Sequence, residues 1–328
     1  MKALILRRPG SILDMQVQEI DPPVPVANQV LVHLDAAGLN PVDYKLALAG
    51  NSSWKYPHIP GLDGAGIITG VGTGVPSSLI GSRVCFHTDL RSDGTFAEFV
   101  NVPAHAIAVV PDNISSLDAA ALPCSGLTAW EAVNEKAHVK PGDFVLVEGA
   151  AGGVGGIAVQ LAKIHGATVI GTCSPENNDY LYSLGVDYVL DYNTESIREK
   201  VLEYSHGHGA NLVIETISGH SATQALGYLS YAGHLVCLSG LPDLTKVVLF
   251  TTAPSIHEVA LGAAFSHGTK TDQEALANNL KELLRLCSKG NIHIQRTRVI
   301  PLEAVPENLE ALRDRHVRGK IVVDYSLL

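Results

Sequence analysis

Two hydrophobic patterns divide the chain. In the first third, short apolar runs at 29–34, 65–69 and 96–100 are cut by Gly and Pro. Runs of that length between turn residues predict a strand-rich, barrel-like domain over residues 1–123. Over 124–260 the pattern changes, and strand-length apolar runs alternate with helical ones. Strands are expected at 144–147, 168–172, 188–190, 212–216 and 234–238. That alternation predicts an α/β fold with a doubly wound parallel sheet. Leu276, Leu280, Leu283 and Leu284 recur at helical spacing within 275–287, and 320–323 reads as a final strand. The tail, 261–328, is expected to return to the first domain.

The sharpest local signal is Gly149-Ala150-Ala151-Gly152-Gly153-Val154-Gly155-Gly156, set between the strand at 144–147 and a helical run at 157–164. The spacing Ala150-x-Gly152-x-x-Gly155 is the dinucleotide fingerprint with Ala in its first place. Gly152 lets the backbone approach a diphosphate, and Gly155 lets the helix lie close on the strand. The helix's free N–H groups and positive dipole end then hold the anion. Ala150, Gly152, Gly153 and Val154 are the expected contacts. The competing reading is a glycine-rich turn with no ligand. Cofactor choice turns on the end of the next strand, Cys173-Ser174-Pro175-Glu176-Asn177-Asn178. No acid stands directly at that end, and Ser174 and Asn177 offer uncharged donors to a 2′-phosphate. NADPH is therefore favoured over NADH, although Glu176 weighs against it and the usual Arg or Lys is missing. Leu238, Ser239 and Gly240 end a later strand, where backbone groups would meet the nicotinamide.

Charge and composition narrow the classes further. The 328 residues suit two domains. A net charge of −10 and a pI near 5.7 argue against nucleic acid or an anionic membrane as the main partner. No apolar run approaches the roughly 20 residues of a membrane span. The start, Met1-Lys2-Ala3-Leu4-Ile5-Leu6-Arg7-Arg8, reads as a strand meeting charge rather than a signal peptide. Cys85, Cys124, Cys173, Cys237 and Cys287 are scattered with no CxxC pair, so disulfides and zinc knuckles are not expected. A cytoplasmic, reduced protein is the expectation.

Several motifs in one order resemble a known family. They are Gly38-Leu39-Asn40-Pro41-Val42-Asp43-Tyr44-Lys45, Pro60-Gly61-Leu62-Asp63-Gly64-Ala65-Gly66, Leu122-Pro123-Cys124-Ser125-Gly126-Leu127-Thr128-Ala129-Trp130, the glycine turn, and Arg318-Gly319-Lys320-Ile321-Val322. Together they span almost the whole chain. The chain resembles the zinc-independent quinone oxidoreductase branch of the medium-chain dehydrogenase/reductase superfamily. The resemblance implies a GroES-like catalytic domain (1–123 and 261–328), a Rossmann domain (124–260) and a homodimer. It also implies NADPH-dependent reduction of quinones or α,β-unsaturated carbonyls.

Zinc members of that superfamily carry a Cys where Asn40 stands, and Gly-His-Glu where Gly61-Leu62-Asp63 stands. Only the later Cys remains, as Cys124, and the four-Cys structural lobe is missing. One thiol cannot build a tetrahedral N/S site, so neither a catalytic nor a structural zinc is expected. His206-Gly207-His208 is read as a polar loop rather than a metal site. Without a Lewis acid, conjugated acceptors become the natural substrates, because they spread developing charge onto oxygen.

The resemblance puts Asn40 and Lys45 at the nicotinamide ribose and substrate cleft, Thr128 near the nicotinamide, and Tyr192 by the adenosine ribose. Their competing roles are a turn residue for Asn40 and a solvated charge for Lys45. Tyr44 is a candidate donor to the substrate oxygen, with core packing as its rival. Trp54 and Tyr56 are expected to wall the pocket, Phe265 and His267 to lie near it, and Arg318 to be a weaker phosphate contact. Cys124 is read as a packed small hydrophobe. Apolar Val247-Val248-Leu249-Phe250 is expected as a sheet-edge strand through which two subunits pair. Two rival functions stay open: a non-catalytic NADPH-binding sensor or structural protein, and an enoyl-thioester reductase. The second is disfavoured because no basic cluster marks an entrance for a carrier.

Overall fold

The chain opens with an antiparallel ribbon of β1 (Lys2–Ile5) and β2 (Gln16–Glu19) in the computed structural model, which describes residues 1–314 and 317–328. Next comes β3 (Gln29–Gly38), long enough to serve several neighbours. It pairs along its length with β4 (Asp63–Val71), which pairs with β5 (Arg83–His87). The first half of β3 also pairs with β6 (Phe99–Pro103), and β5 pairs with the short β7 (Ala108–Val109). The expected strand at 96–100 is displaced toward the C-terminus. Residues before Phe99 are held by the chain start instead: the Leu4 N–H donates to the Phe96 carbonyl, and Ala97 bridges Ala3.

A second sheet follows, with β8 (Phe144–Val147), β9 (Thr168–Cys173), β10 (Tyr188–Asp191), β11 (Ala210–Glu215), β12 (Leu229–Cys237) and β13 (Ser255–Glu258). All its pairings are parallel, in the order β10-β9-β8-β11-β12-β13. In chain order this is the Rossmann arrangement, with the order reversing between β8 and β11. Strands of such a sheet are covered on both faces, which is why β8, β9 and β11 read as continuous apolar runs. Its core joins Leu146, Ile170, Leu190, Val213 and Leu235 to the helices Ile197–Tyr204 and Gly219–Ala225.

The chain then returns to the first sheet with β14 (Arg296–Ile300) and β15 (Lys320–Asp324), the latter antiparallel to the end of β3. One compact unit therefore comprises 1–127, 261–290 and 294–328, and the other 128–260 and 291–293. The first change of unit falls after Leu127, four residues beyond the expected position. Leu4, Leu34, Phe86, Phe96, Ile321 and Val323 belong to the core of the first unit. Among the described residues no helix is long and apolar enough to cross a membrane.

The expected edge strand at 247–250 is not formed. Val248, Leu249 and Phe250 are exposed, and φ is +61° at Phe250 and +47° at Ala253. Left-handed residues break an extended run, and the place beside β12 is taken by β13, with Ser255 opposite His234.

The tightest approach in the second sheet lies where β8 meets the helix Gly153–Ile164. A Cβ on Gly155 would stand 2.4 Å from the Gly149 carbonyl oxygen and 2.7 Å from the Ala150 Cα. Both are backbone atoms and cannot swing away. Gly155→Ala is expected to lower stability by about 1–3 kcal/mol, as overpacked sites do. Gly152→Ala, whose Cβ meets only the Gly149 oxygen at 3.3 Å, should lose less. Urea unfolding of the two variants measures the difference.

Candidate functional site

In the second unit, the turn after β8 is shaped for an anion. Gly149 has φ +70°, and a Cβ there would meet the Thr216 hydroxyl oxygen at 2.4 Å, so a side chain is excluded. Ala150 is fully buried and its N–H donates to the Thr172 carbonyl. Gly152 is the N-cap of the helix Gly153–Ile164 and makes no side-chain cap bond. The first N–H groups of that helix, on Gly153 and Val154, thus remain available for a ligand. These residues fit a dinucleotide diphosphate. Two buried carboxyls brace the strand ends beside the turn. Glu148 accepts from Ser221 Oγ and Tyr228 OH, each at 2.7 Å, and Glu215 accepts from the N–H groups of Ile217 and Ser218. Burial raises the Glu148 carboxyl, with the two hydroxyls opposing. Ser239 Oγ donates to the Thr216 carbonyl at 2.7 Å, and the Leu238 N–H to the Glu215 carbonyl. Gly240 follows at φ +146°. Residues 238–240 therefore stand at the carboxyl end of β12, in the same unit as the turn.

The end of β9 differs from expectation. Asn177 Nδ2 donates to Ser174 Oγ at 3.1 Å, and Ser174 Oγ donates to Glu176 Oε1 at 2.5 Å. The Ser174 hydroxyl hydrogen and one of the two Asn177 amide hydrogens thus point along a relay that ends on a carboxylate. Tyr192 is exposed just after β10, and Thr128 is half-buried in the helix Pro123–Trp130.

In the first unit, sheet register builds a buried polar cluster. Val322 lies opposite Gly38, Gly38 opposite Asp63, and Asp63 opposite His87, across four adjacent strands. Asn40 and Lys320 each lie two residues from this row. Asp63 accepts from Asn40 Nδ2 at 2.9 Å, His87 Nδ1 at 2.8 Å and the Cys124 N–H at 3.0 Å, with Lys320 Nζ at 3.7 Å. Lys320 Nζ also donates to the Leu39 carbonyl at 2.8 Å and to Asn40 Oδ1 at 2.5 Å. Burial would raise the Asp63 carboxyl, but the His87 hydrogen bond and the Lys320 charge overcome it and hold it below its ordinary value. Asn40 is therefore a buried bridge between Asp63 and Lys320, rather than a side chain free to meet ribose or substrate.

The donor atoms of Asp63, His87 and Cys124 lie within 4.8 Å of one another, and among the described residues no other such group of three occurs. Sequence alone counted one zinc donor here; the fold brings two more beside it. The set still does not fit a metal. Its carboxylate is already filled by three N–H donors, and a lysine ammonium stands where a divalent cation would need the negative charge.

A small hollow of about 10 Å³, room for little more than a water molecule, lies in the same unit. Trp54, His58, Leu62, Leu90 and Asp43 are among its lining residues. Trp54 donates from Nε1 to the Leu90 carbonyl at 2.7 Å and stacks on His58 with ring centroids 3.9 Å apart. Tyr56 meets Trp54 edge-on at 6.3 Å. Tyr44 is packed against the core, and Lys45 points from the same helix, Pro41–Ala49, toward solvent. The helix instead gives Asp43 and Leu46 to the hollow. Asp43 is 2% exposed; its Oδ2 accepts the Asn40 N–H at 2.7 Å, and its Oδ1 has no partner among the described residues. Burial pushes this carboxyl from an ordinary 3.8 up to about 8, with the Asn40 N–H and Lys320 opposing and Asp63 adding to the rise. Phe265 lines a different hollow, with His87 and Leu276. Arg318 is exposed at the turn before β15. Asp43, Asp63 and Lys320 all fall inside the motifs that carry the family resemblance, but their charges are read only once the strands are in register.

Removing Lys320 leaves Asp63 ionised and buried without its cation. Lys320→Met is expected to cost about 3–5 kcal/mol, the usual penalty for breaking a buried pair from one side. Because the folded pKa of Asp63 is depressed, its stabilisation is present above its ordinary 3.8 and is lost as pH falls through the folded value. The wild type should therefore lose its advantage over Lys320→Met on acidification below that pH. Thermal melting across pH tests this, and equal wild-type and variant stability at neutral pH would remove the cluster's structural role.

Comparison with known proteins gives the same architecture. Residues 26–112 match the alcohol dehydrogenase GroES-like domain, and residues 153–283 the zinc-binding dehydrogenase family. The chloroplast envelope quinone oxidoreductase homolog of Arabidopsis thaliana is 30% identical over 96% of this chain and 95% of its own. The phthioceranic/hydroxyphthioceranic acid synthase of Mycobacterium tuberculosis is 27% identical over 98% of the chain, which spans 15% of that relative's length. A solved NAD-dependent alcohol dehydrogenase superposes with TM-score 0.88 at 28% identity, covering 99% of both chains. The Coxiella burnetii quinone oxidoreductase gives 0.84 at 28%, also over 99% of both. CurK enoyl reductase gives 0.87 at 27%, over 98% of both. With a GroES-like unit, a Rossmann unit and a quinone oxidoreductase relative aligned along nearly its full length, the chain belongs to the medium-chain dehydrogenase/reductase superfamily.

Proposed function

We propose that this oxidoreductase transfers hydride from a reduced nicotinamide dinucleotide to quinones or α,β-unsaturated carbonyls, without zinc. The observation that carries this reading is the Lys320 ammonium beside the Asp63 carboxylate. A buried acid already neutralised by lysine is a poor ligand for a Lewis acid that would polarise a simple carbonyl. Conjugated acceptors need less polarisation, so positioning, hydrogen bonding and exclusion of water suffice. A reduced nicotinamide, when bound, supplies the hydride. In this reading Gly152, Gly153 and Val154 would hold the diphosphate, and residues 238–240 would meet the nicotinamide end. The likeness to CurK enoyl reductase favours enoyl-thioesters as a second acceptor, since these are also conjugated carbonyls.

The sequence favours NADPH, but the relay Asn177–Ser174–Glu176 supports NADH. A carboxylate that accepts hydrogen bonds suits a ribose 2′-OH and repels a 2′-phosphate. Chelator-treated protein, offered NADH or NADPH with a quinone, an enone, an enoyl-thioester and a simple aldehyde, tests both points. Turnover of conjugated acceptors is expected to survive the chelator, with NADH preferred and the aldehyde inert. Glu176→Lys should move the preference toward NADPH by roughly tenfold, about 1.4 kcal/mol. Loss of turnover on chelation would return a metal to the mechanism. Tight dinucleotide binding with no turnover would support the sensor reading instead.

The assembly that fits this unit is a homodimer. Val248, Leu249 and Phe250 present contiguous apolar side chains to solvent, near the edge strand β13. Burying such a tip against its own copy removes it from water. Sedimentation is expected to give a dimer for the wild type and a monomer for Phe250→Asp. A monomeric wild type would dismiss the dimer.

A further inference from the structure

Two histidines meet across the last pair of strands in the second unit. β13 ends the parallel sheet, with β12 as its neighbour. His234 lies opposite Ser255, and Val236 opposite His257. Residues two apart on a strand share a face, so the two histidines stand on one face as diagonal neighbours. His234 Nδ1 lies 3.0 Å from His257 Nε2. The rings are within 10° of parallel, and their centroids are 5.2 Å apart. Because the nitrogens are much closer than the ring centres, the rings meet nitrogen to nitrogen. The contact is an N–H···N hydrogen bond in which one ring donates and the other accepts. It ties the edge strand to β12 in addition to the backbone ladder, which joins residues 234–237 to 255–258.

We propose that the His234–His257 pair is a proton-controlled latch, closing β13 onto the sheet at neutral pH and releasing it on acidification. The chemistry of the bridge sets its limit. Two neutral imidazoles meet with one hydrogen between them. A first added proton goes to the outer nitrogen of the donor ring and leaves the bridge intact. A second puts a hydrogen on the accepting nitrogen. Two donors and two positive charges then face each other, and no acceptor remains. The bond is lost and the rings repel. This device lies wholly within the second unit and is independent of the reductase reading.

The surroundings push the same way. Burial lowers the proton affinity of His234, and His138 and Lys140 add to that, with Asp143 opposing. Burial also lowers His257, followed by His234, Lys136 and His138. These neighbours come from the helical turn Glu131–Lys136 and from the segment between it and β8. Glu258, the residue after His257, lies on the other face of β13 and is exposed. Both histidines therefore titrate below the ordinary 6.5. Freed of the contact, a histidine takes its proton nearer that value, so the released strand binds protons more readily than the paired one. The latch is thus at full strength above 6.5 and is lost as pH falls through the folded values. Opening it uncovers the backbone groups of β12 between His234 and Cys237, an edge to which another strand can pair.

Hydrogen exchange on the full chain tests the latch. The amides of 255–258 are followed at about pH 7.5 and about pH 5, corrected for intrinsic rates, with β9 as the internal reference. At the lower pH, wild-type protection of 255–258 is expected to fall roughly tenfold more than that of β9. His257→Gln keeps a side chain that can hydrogen-bond His234 but takes no proton, and there the extra loss should vanish. Unchanged relative protection in the wild type, or an equal extra loss in both proteins, would overturn the proposal. If the variant leaves β13 open at every pH, proton NMR of the wild-type rings decides. The two rings should titrate in separate steps below the ordinary 6.5, and the amide signals of 255–258 should move with the second step. Independent titration of both rings at 6.5 would dismiss the latch.

Discussion

Asp63 is the constraint on which the first unit turns. Its carboxylate is fully buried, and a charge there persists only if paired and hydrogen-bonded. The partners come from chain segments far apart in sequence: Asn40 after β3, His87 at the end of β5, the Cys124 N–H and Lys320 at the start of β15. Each contact is possible only when β15, β3, β4 and β5 stand in register, because a one-residue slip moves a side chain to the other face. The carboxylate thereby selects the pairing that also aims the helix Pro41–Ala49. Because that helix starts at the residue after Asn40, the cluster fixes where Asp43 and Leu46 line the hollow.

The second unit solves a different problem, close approach of backbone to backbone. A positive φ at Gly149 and the absence of a Cβ at Gly155 let β8, the turn and the helix Gly153–Ile164 come together. A glycine N-cap leaves the helix N-terminus without a side-chain partner, so an anion bound there would supply what a Ser or Asp supplies elsewhere. Glu148 and Glu215 hold the neighbouring strand ends through Ser221, Tyr228 and the backbone at Ile217 and Ser218. The rigid surroundings of the turn are thus made by buried acids, while its ligand-facing part carries almost no side chain.

Most of this architecture was legible because it rests on local rules. Period, run length and glycine spacing sufficed for β8, β9, β10 and the helix Gly153–Ile164. The misplaced elements failed for tertiary reasons. At 96–100 the ribbon at the chain start captures the segment, and at 247–250 the left-handed turn and the claim of Ser255–Glu258 on β12 override an apolar pattern. Site residues divide in the same way. The backbone-built turn could be read from glycines alone. The side-chain-built cluster could not, because Asn40, Asp63, His87 and Lys320 become one object only through sheet register. Ser174 and Asn177 were identifiable as donors, but which acceptor they face is a matter of a few ångströms that spacing does not record.

Asp43 and Asp63 carry the same functional group, both are buried, and their titrations are driven in opposite directions. The difference lies in their partners. Asp63 has His87, Asn40 and the nearer share of Lys320, whereas Asp43 has one backbone N–H and faces an apolar wall. They also feel each other, since the charge on Asp63 makes a second negative charge at Asp43 costlier. One lysine therefore bears on both, and in the same direction: with the His87 hydrogen bond it holds Asp63 below its ordinary value, and it opposes the rise that burial drives at Asp43. The two acids part because Asp63 has enough partners to overcome burial and Asp43 does not.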